Sequence, residues 1–219
     1  MCVITKKSVN EFWQTDLDKI NSPQLTIFSY NGLGLISYKK ELEGITEYFQ
    51  DIATLSKELN GVLISGCDTD TYGVFRHSAV IADKGKILGV SDMIHTIDES
   101  EYVSGGSFKV YETSAGKIGI VIGEDIYFPE VPRVLALCDA DLIVVVFKKI
   151  INFIPELMIR SGAFSNGVTM LLCTNGYVEL ANIKGEITYA SSQNINEFNV
   201  KTEKDYHLIS SRRRGIYKE

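Results

Sequence analysis

Apolar residues gather along this chain in short, dense runs rather than in long stretches. Positions 25–28, 62–64, 118–122, 142–147 and 168–173 are apolar at every residue or nearly so, with frequent β-branched side chains. A strand open to water on one face alternates apolar with polar, so unbroken runs of this length predict strands covered on both faces. Between the runs the spacing turns helical. Positions 41–59 set Ile45, Phe49, Ile52 and Leu59 on one stripe, and Gly61 follows as a stop signal. Ser8 is placed to cap a first helix, with Glu11 three residues on to complete a capping box. Pro129 and Pro155 stand where first-turn prolines would open two later helices.

Direct hairpins interrupt the alternation of strand and helix. Asp83-Lys84-Gly85-Lys86 and Lys184-Gly185 join apolar runs through turn-forming residues, and Ser114-Ala115-Gly116 joins the segment 108–111 to the run at 118–122. Helical crossovers imply parallel neighbours and hairpins imply antiparallel ones, so the mixture predicts an α/β fold of two mixed sheets. Packed face to face with helices outside, they form a four-layer α-β-β-α sandwich. The chain has 219 residues, 45% of them apolar, enough to bury one large core over 1–219. No internal repeat, low-complexity tract or linker divides it.

Charge removes several classes of partner. With 22 basic against 28 acidic residues the net charge is -6, which disfavours nucleic acid and anionic membrane surfaces. The one basic cluster, Arg212-Arg213-Arg214, reads as a solvated tail. Cys2, Cys67, Cys138 and Cys173 are irregularly spaced, without a CxxC pair or a nearby histidine, so no disulfide framework, metal or cofactor is expected. No apolar stretch has the length of a membrane span and the first residues lack the apolar centre of a secretory signal, so the expected location is the cytoplasm.

The most informative stretch is Gly116-Lys117-Ile118-Gly119-Ile120-Val121-Ile122-Gly123-Glu124-Asp125-Ile126-Tyr127-Phe128-Pro129-Glu130, a buried strand running into a helix start. It resembles the nitrilase, or carbon-nitrogen hydrolase, superfamily, in which Gly-Lys-Ile-Gly leads a strand into Cys-Tyr-Asp and then Phe-Pro-Glu. Further marks fall in the family's order: Ser78-Ala79-Val80-Ile81 and Gly85-Lys86-Ile87-Leu88-Gly89 upstream, then Ala140-Asp141-Leu142, Arg160, Thr174-Asn175-Gly176 and Lys184-Gly185. The resemblance extends over essentially the whole chain and implies the same nitrilase-like sandwich.

Members of that superfamily use a Glu, a Lys and a Cys. The thiolate attacks a nitrile or amide carbon, Glu moves protons, and Lys stabilises the developing negative charge. The matching positions here are Tyr30 for Glu, Met93 for Lys and Gly123 for Cys, and none can perform the role. Loss of a covalent nucleophile alone costs on the order of 10⁶ in turnover. The resemblance therefore implies a chain without the family's hydrolysis, serving as a binding or assembly module.

Two other readings remain at this level. One is an active hydrolase on C–N bonds with a relocated site, built from Cys67, His95 and Glu124 or Glu101; the other is a small-molecule sensor. Cys67 follows a strand at its carboxyl end, where α/β sites gather, although a buried core thiol fits the same position. Glu124 and Asp125 follow the vacant nucleophile position, and Glu99 or Glu101 resembles an acidic residue that supports the family's site. Asp125 also suits a backbone-binding role that holds the turn, while Cys138 and Cys173 read as core. Relatives pair through two helices, here near 129–139 and 155–167, so a homodimer is expected; Phe153, Ile154, Leu157 and Met158 add apolar surface beside the second. Shortened connections after 67 and 147 predict a shallow or closed cleft.

Overall fold

The structure is a computed structural model and describes residues 1–97 and 101–211. Its first part comprises β1 (Cys2–Ile4), α1 (Val9–Thr15), β2 (Leu25–Phe28), β3 (Leu35–Ser37), α2 (Tyr38–Leu42) and α3 (Tyr48–Glu58). The hairpins β4 (Val62–Thr71), β5 (Val74–Asp83) and β6 (Lys86–Asp92) follow. The second part comprises β7 (Val110–Thr113), β8 (Gly116–Ile122), α4 (Glu130–Leu137), β9 (Leu142–Phe147) and α5 (Ile154–Asn166). It closes with β10 (Thr169–Thr174), β11 (Tyr177–Ala181), β12 (Ile187–Ser191), β13 (Ile195–Glu197) and α6 (His207–Ser210).

Among the described residues, one sheet runs β13-β1-β2-β4-β5-β6 with β3 on the far half of β4, and the other runs β12-β11-β10-β9-β8-β7. Both are mixed. The pairs β1/β2, β2/β4, β3/β4, β8/β9 and β9/β10 are parallel, and the hairpin neighbours are antiparallel. The Lys84-Gly85 turn between β5 and β6 has both residues at positive φ, +46° and +93°, the backbone a two-residue hairpin needs.

Period-two alternation sorts the strands into layers. Val62 and Ile64 of β4, Ala79 and Ile81 of β5, Ile118, Ile120 and Ile122 of β8 and Val144 and Val146 of β9 point between the sheets. Leu63, Val80 and Ala82 point the other way, under Val9 and Phe12 of α1 and Ile52 and Leu55 of α3. Ile143, Val145 and Leu172 face Val131 and Leu135 of α4 and Ile159 and Ala163 of α5. The result is the predicted four-layer α-β-β-α order. Each Val, Leu, Ile or Phe side chain so placed, fully buried, contributes roughly 1.5–3 kcal/mol. No helix among the described residues is long and apolar enough to cross a membrane.

Several local readings need correction. The stripe at 41–59 is two helices, not one: Gly44 turns to φ +67° and Ile45 is 65% exposed. The Glu41 carboxylate accepts the Tyr48 and Phe49 N–H groups at 3.1 Å, satisfying donors at the start of α3 from outside it. At the end of α3 the left-handed residue is Asn60, φ +50°; Gly61 is required instead for close packing, since a Cβ there would lie 2.7 Å from the Pro23 carbonyl oxygen. Ser8 caps α1 by accepting from Glu11 N–H at 3.2 Å, while the Glu11 carboxylate lies by Lys7. Pro129 precedes α4 as its cap, and Pro155 falls in the first turn of α5. Cys138 is no core residue; it is exposed at the end of α4.

Candidate functional site

A cleft of about 330 Å³ opens where the carboxyl ends of strands from both sheets meet. Tyr30 follows β2, Met93 follows β6, Gly123 follows β8 and Lys148 follows β9, and all four line it together with His77, Glu124, Tyr127, Phe147, Lys149, Ile151 and Asn152. Strand ends supply such sites because their side chains are fixed by the sheet while the backbone is free to turn. The three positions of the Glu, Lys and Cys resemblance thus come to one place.

Gly123 begins a tight 3-10 turn, Gly123–Tyr127, at φ +54°. A side chain there would be strained by its backbone, and its Cβ would lie 2.8 Å from Met93 Sδ. Met93 is buried, with its N–H on the His77 carbonyl at 2.8 Å, and its thioether occupies the space beside the turn. Asp125 ties the two segments together. Its carboxylate accepts from Ile94 N–H at 2.9 Å, His95 N–H at 2.8 Å and His95 Nδ1 at 2.8 Å.

The cleft wall contains a polar relay that the sequence reading missed. Asp68 of β4 and His77 of β5 are direct partners across the antiparallel ladder, on the face that looks between the sheets. Asp68 Oδ1 receives His77 Nδ1 at 2.6 Å and the Tyr30 hydroxyl at 2.8 Å, and Oδ2 receives the Tyr102 hydroxyl at 3.2 Å. Lys148 Nζ lies 3.2 Å from His77 Nε2. His77 thus bridges the Asp68 carboxylate through Nδ1 and the Lys148 ammonium through Nε2. Lys148 also lies 5.2 Å and 5.3 Å from the ring centres of Tyr30 and Tyr102, and Tyr102 stacks on His77 at 3.7 Å. Burial works to raise the Asp68 pKa, but the His77 and Tyr30 hydrogen bonds and the nearby positive charge outweigh it and hold the carboxyl below its ordinary value. Burial, with the Asp68 charge behind it, pushes the Tyr30 phenol far up, so it remains a donor. One clue was available: His77 shares parity with Ala79 and Ile81, and Asp68 with Ile64, so both fall on the inner face.

The proposed replacement residues do not converge. Cys67 is fully buried on the opposite face of β4, among residues packed under α1 and α3, and burial pushes its thiol up. His95 stacks on Phe128 at 3.9 Å and bonds Asp125, outside the cleft wall. Glu101 is exposed and does not line the cleft, while Glu124 does. Glu99 and Arg212-Arg213-Arg214 lie outside the described residues. Cys2 is buried with its thiol pushed up to about 12, mainly by burial, and Cys173 is buried between the sheets with its thiol likewise raised. Among the described residues, no cluster of three or more His, Cys, Asp or Glu is arranged to hold a metal.

Comparison with known proteins places this geometry. The chain is 29% identical over 129 residues to a probable nitrilase of Schizosaccharomyces pombe, covering 56% of this chain and 47% of the relative. It is 29% identical over 147 residues to a citrullinase of Francisella tularensis, covering 59% and 51%. It thus spans about half the length of these curated relatives. Among solved structures, a carbon-nitrogen hydrolase from Helicobacter pylori G27 superposes with TM-score 0.71 at 19% identity, covering 88% of this chain and 85% of that one. A mutant of the amidase from Nesterenkonia sp. AN1 in complex with butyramide superposes with TM-score 0.74 at 14% identity, covering 97% and 93%. These likenesses establish the nitrilase-like fold of two mixed sheets. The family profile itself matches residues 20–214, so the chain belongs to the carbon-nitrogen hydrolase family.

Proposed function

We propose that this chain is a non-hydrolytic binding module built on the carbon-nitrogen hydrolase scaffold. The observation that carries the reading is at Gly123: the turn after β8 is kept, but it bears no side chain, and Met93 Sδ stands where one would extend. Family chemistry needs a thiolate at that turn, a fixed cation beside the oxyanion and a carboxylate to exchange protons. Gly123, Met93 and Tyr30 provide none of these. Tyr30 supports the reading further, because a buried phenol donating to Asp68 has no proton-accepting role to offer. A relocated hydrolase using Cys67, His95 and Glu124 or Glu101 finds no geometric support, since the thiol and the cleft lie on opposite faces of β4.

The open cleft favours ligand binding over a purely structural role. Shortened connections do not close it: residues 148–153 lead directly into α5 and supply one side of the wall, and about 330 Å³ remains. The decisive assay is ammonia release from simple amides and nitriles, butyramide included, by the pure chain. No release above the uncatalysed background is expected. Turnover at ordinary enzyme rates, about 1–10³ s⁻¹, would overturn the proposal.

A further inference from the structure

We infer that the cleft takes the uncharged aromatic end of a small molecule, seating it by ring and thioether contacts rather than by an ion pair. This rests on the non-hydrolytic reading above and adds the ligand class. The cleft is graded in depth. Tyr30, Met93 and Phe147 line it while being almost wholly buried, so they form its floor, and half-buried Tyr127 forms one wall. The charged lining residues lie further out: Lys148 and Lys149 are exposed, and Glu124 is half-buried beside the Gly123 turn. A volume of about 330 Å³ is ample for a single ring, since an apolar space of about 150 Å³ already admits benzene.

The floor suits a flat ring. Tyr127 and Phe147 meet edge to face, with ring centres 6.0 Å apart and planes at 68°, so a ring entering beside them finds both an edge and a face to pack on. Met93 supplies a polarizable thioether, which packs favourably against aromatic edges. Tyr30 adds ring surface, because its hydroxyl is directed to Asp68. The charges nearby are already engaged. Lys148 is bonded to His77 and His77 to Asp68, which also receives the Tyr30 and Tyr102 hydroxyls; Glu124 has interactions within the protein as well. A ligand charge brought to the floor would shed its hydration and would have to break into this relay to find a counter-ion. An uncharged ring gives up no such hydration and disturbs none of these contacts.

The test is a nuclear magnetic resonance titration of the whole chain with isotope-labelled methionine methyls, using benzyl alcohol, benzoate and benzylamine as probes and repeated with Tyr127→Ala and Tyr127→Phe. Met93 is one of four methionines, and a ring seated on the floor shifts its methyl signal through the ring current. Benzyl alcohol is expected to shift that signal saturably at millimolar concentration, and each charged analogue to bind at least about tenfold more weakly. Y127A is expected to lose at least about threefold in benzyl alcohol affinity and Y127F to keep it, because the ring and not the hydroxyl makes the contact. No shift at Met93, a charged analogue within that tenfold margin, or Y127A binding like the parent would each overturn the inference. The three-probe series on the parent needs no variant, so it decides the ligand class even where Y127A fails to fold. Benzyl alcohol has no C–N bond to cleave, so ammonia released from added benzamide would overturn the non-hydrolytic reading alone and leave the benzyl alcohol series to report on the cleft.

Discussion

Gly123 and Met93 behave as one unit. The glycine holds a backbone angle of +54° that a side chain tolerates poorly, and the thioether has moved into the volume a side chain would need. Restoring a thiol by Gly123→Cys is therefore expected to destabilise the fold by about 1–3 kcal/mol and to confer no amide turnover. Trimming the neighbour by Met93→Ala leaves a cavity and costs about 2–5 kcal/mol alone, but it removes the clash. Denaturant unfolding of the four proteins should show the double variant less destabilised than the sum by more than about 0.5 kcal/mol. Additivity within that margin would mean the two residues do not share the site. Tyr30, Met93 and Gly123 meet at the cleft because each closely follows a strand, a juxtaposition that the order of the motifs foreshadows. The relay is not foreshadowed: Asp68 and His77 are nine positions apart, and only the β4–β5 register reveals them as partners with Lys148, from the other sheet, above them. Cys67 misled for the same reason, since its place at the end of an apolar run was legible but its face was not.

At the scale of elements, what was legible is what burial dictates on its own. Strands covered on both faces cannot hide their apolar runs, so β2, β8, β9 and β10 fall within two residues of the runs that predict them. β1, β3 and β13 have three residues each, too few for any period to register. Helix ends depend on contacts distant in sequence, as the Glu41 cap of α3 shows. The end of α5 is the sharpest case. Gly167 turns to φ +60° and its N–H bonds Ala163, while its carbonyl accepts Asp205 N–H at 2.8 Å. A Cβ there would lie 1.6 Å from the Asp205 carbonyl oxygen, so backbone must move. Gly167→Ala is expected to cost about 2–5 kcal/mol, combining left-handed strain with overpacking. Lys204, which reaches Asp139 Oδ1 at 2.8 Å and Asp141 Oδ1 at 2.5 Å, would be drawn away with the segment. Hydrogen exchange at 204–206 should rise in the variant; unchanged exchange and a loss under about 0.5 kcal/mol would show that the segment yields freely.

At the scale of the whole molecule, both outer layers leave large apolar side chains exposed, Leu42 at 77% and Ile45 at 65% on the α2 side. The face formed by α4 and α5 leaves Leu137 63%, Phe164 54% and Leu157 50% exposed, and the segment entering α5 adds Phe153 at 70%. Large apolar side chains gathered on adjoining helices mark an interaction surface. A two-fold pairing of this face with itself would cover both helices at once, because an isologous contact uses each patch twice. A homodimer pairing through 129–139 and 155–167 is the expected outcome, and light scattering at tens of micromolar should then give twice the 24.4 kDa chain mass. Leu137→Glu with Phe164→Glu should return a monomer whose unfolding midpoint is unchanged at low concentration, since neither side chain is buried within the chain. A parent protein that scatters as a monomer would overturn the pairing. The same segment, 148–153, carries Lys148 and Ile151 on the cleft wall and runs straight into α5, so pairing at α5 would hold one wall of the cleft in place. Any ligand that binds better to the held wall would in turn favour the dimer, by the reciprocity that linkage imposes on coupled equilibria.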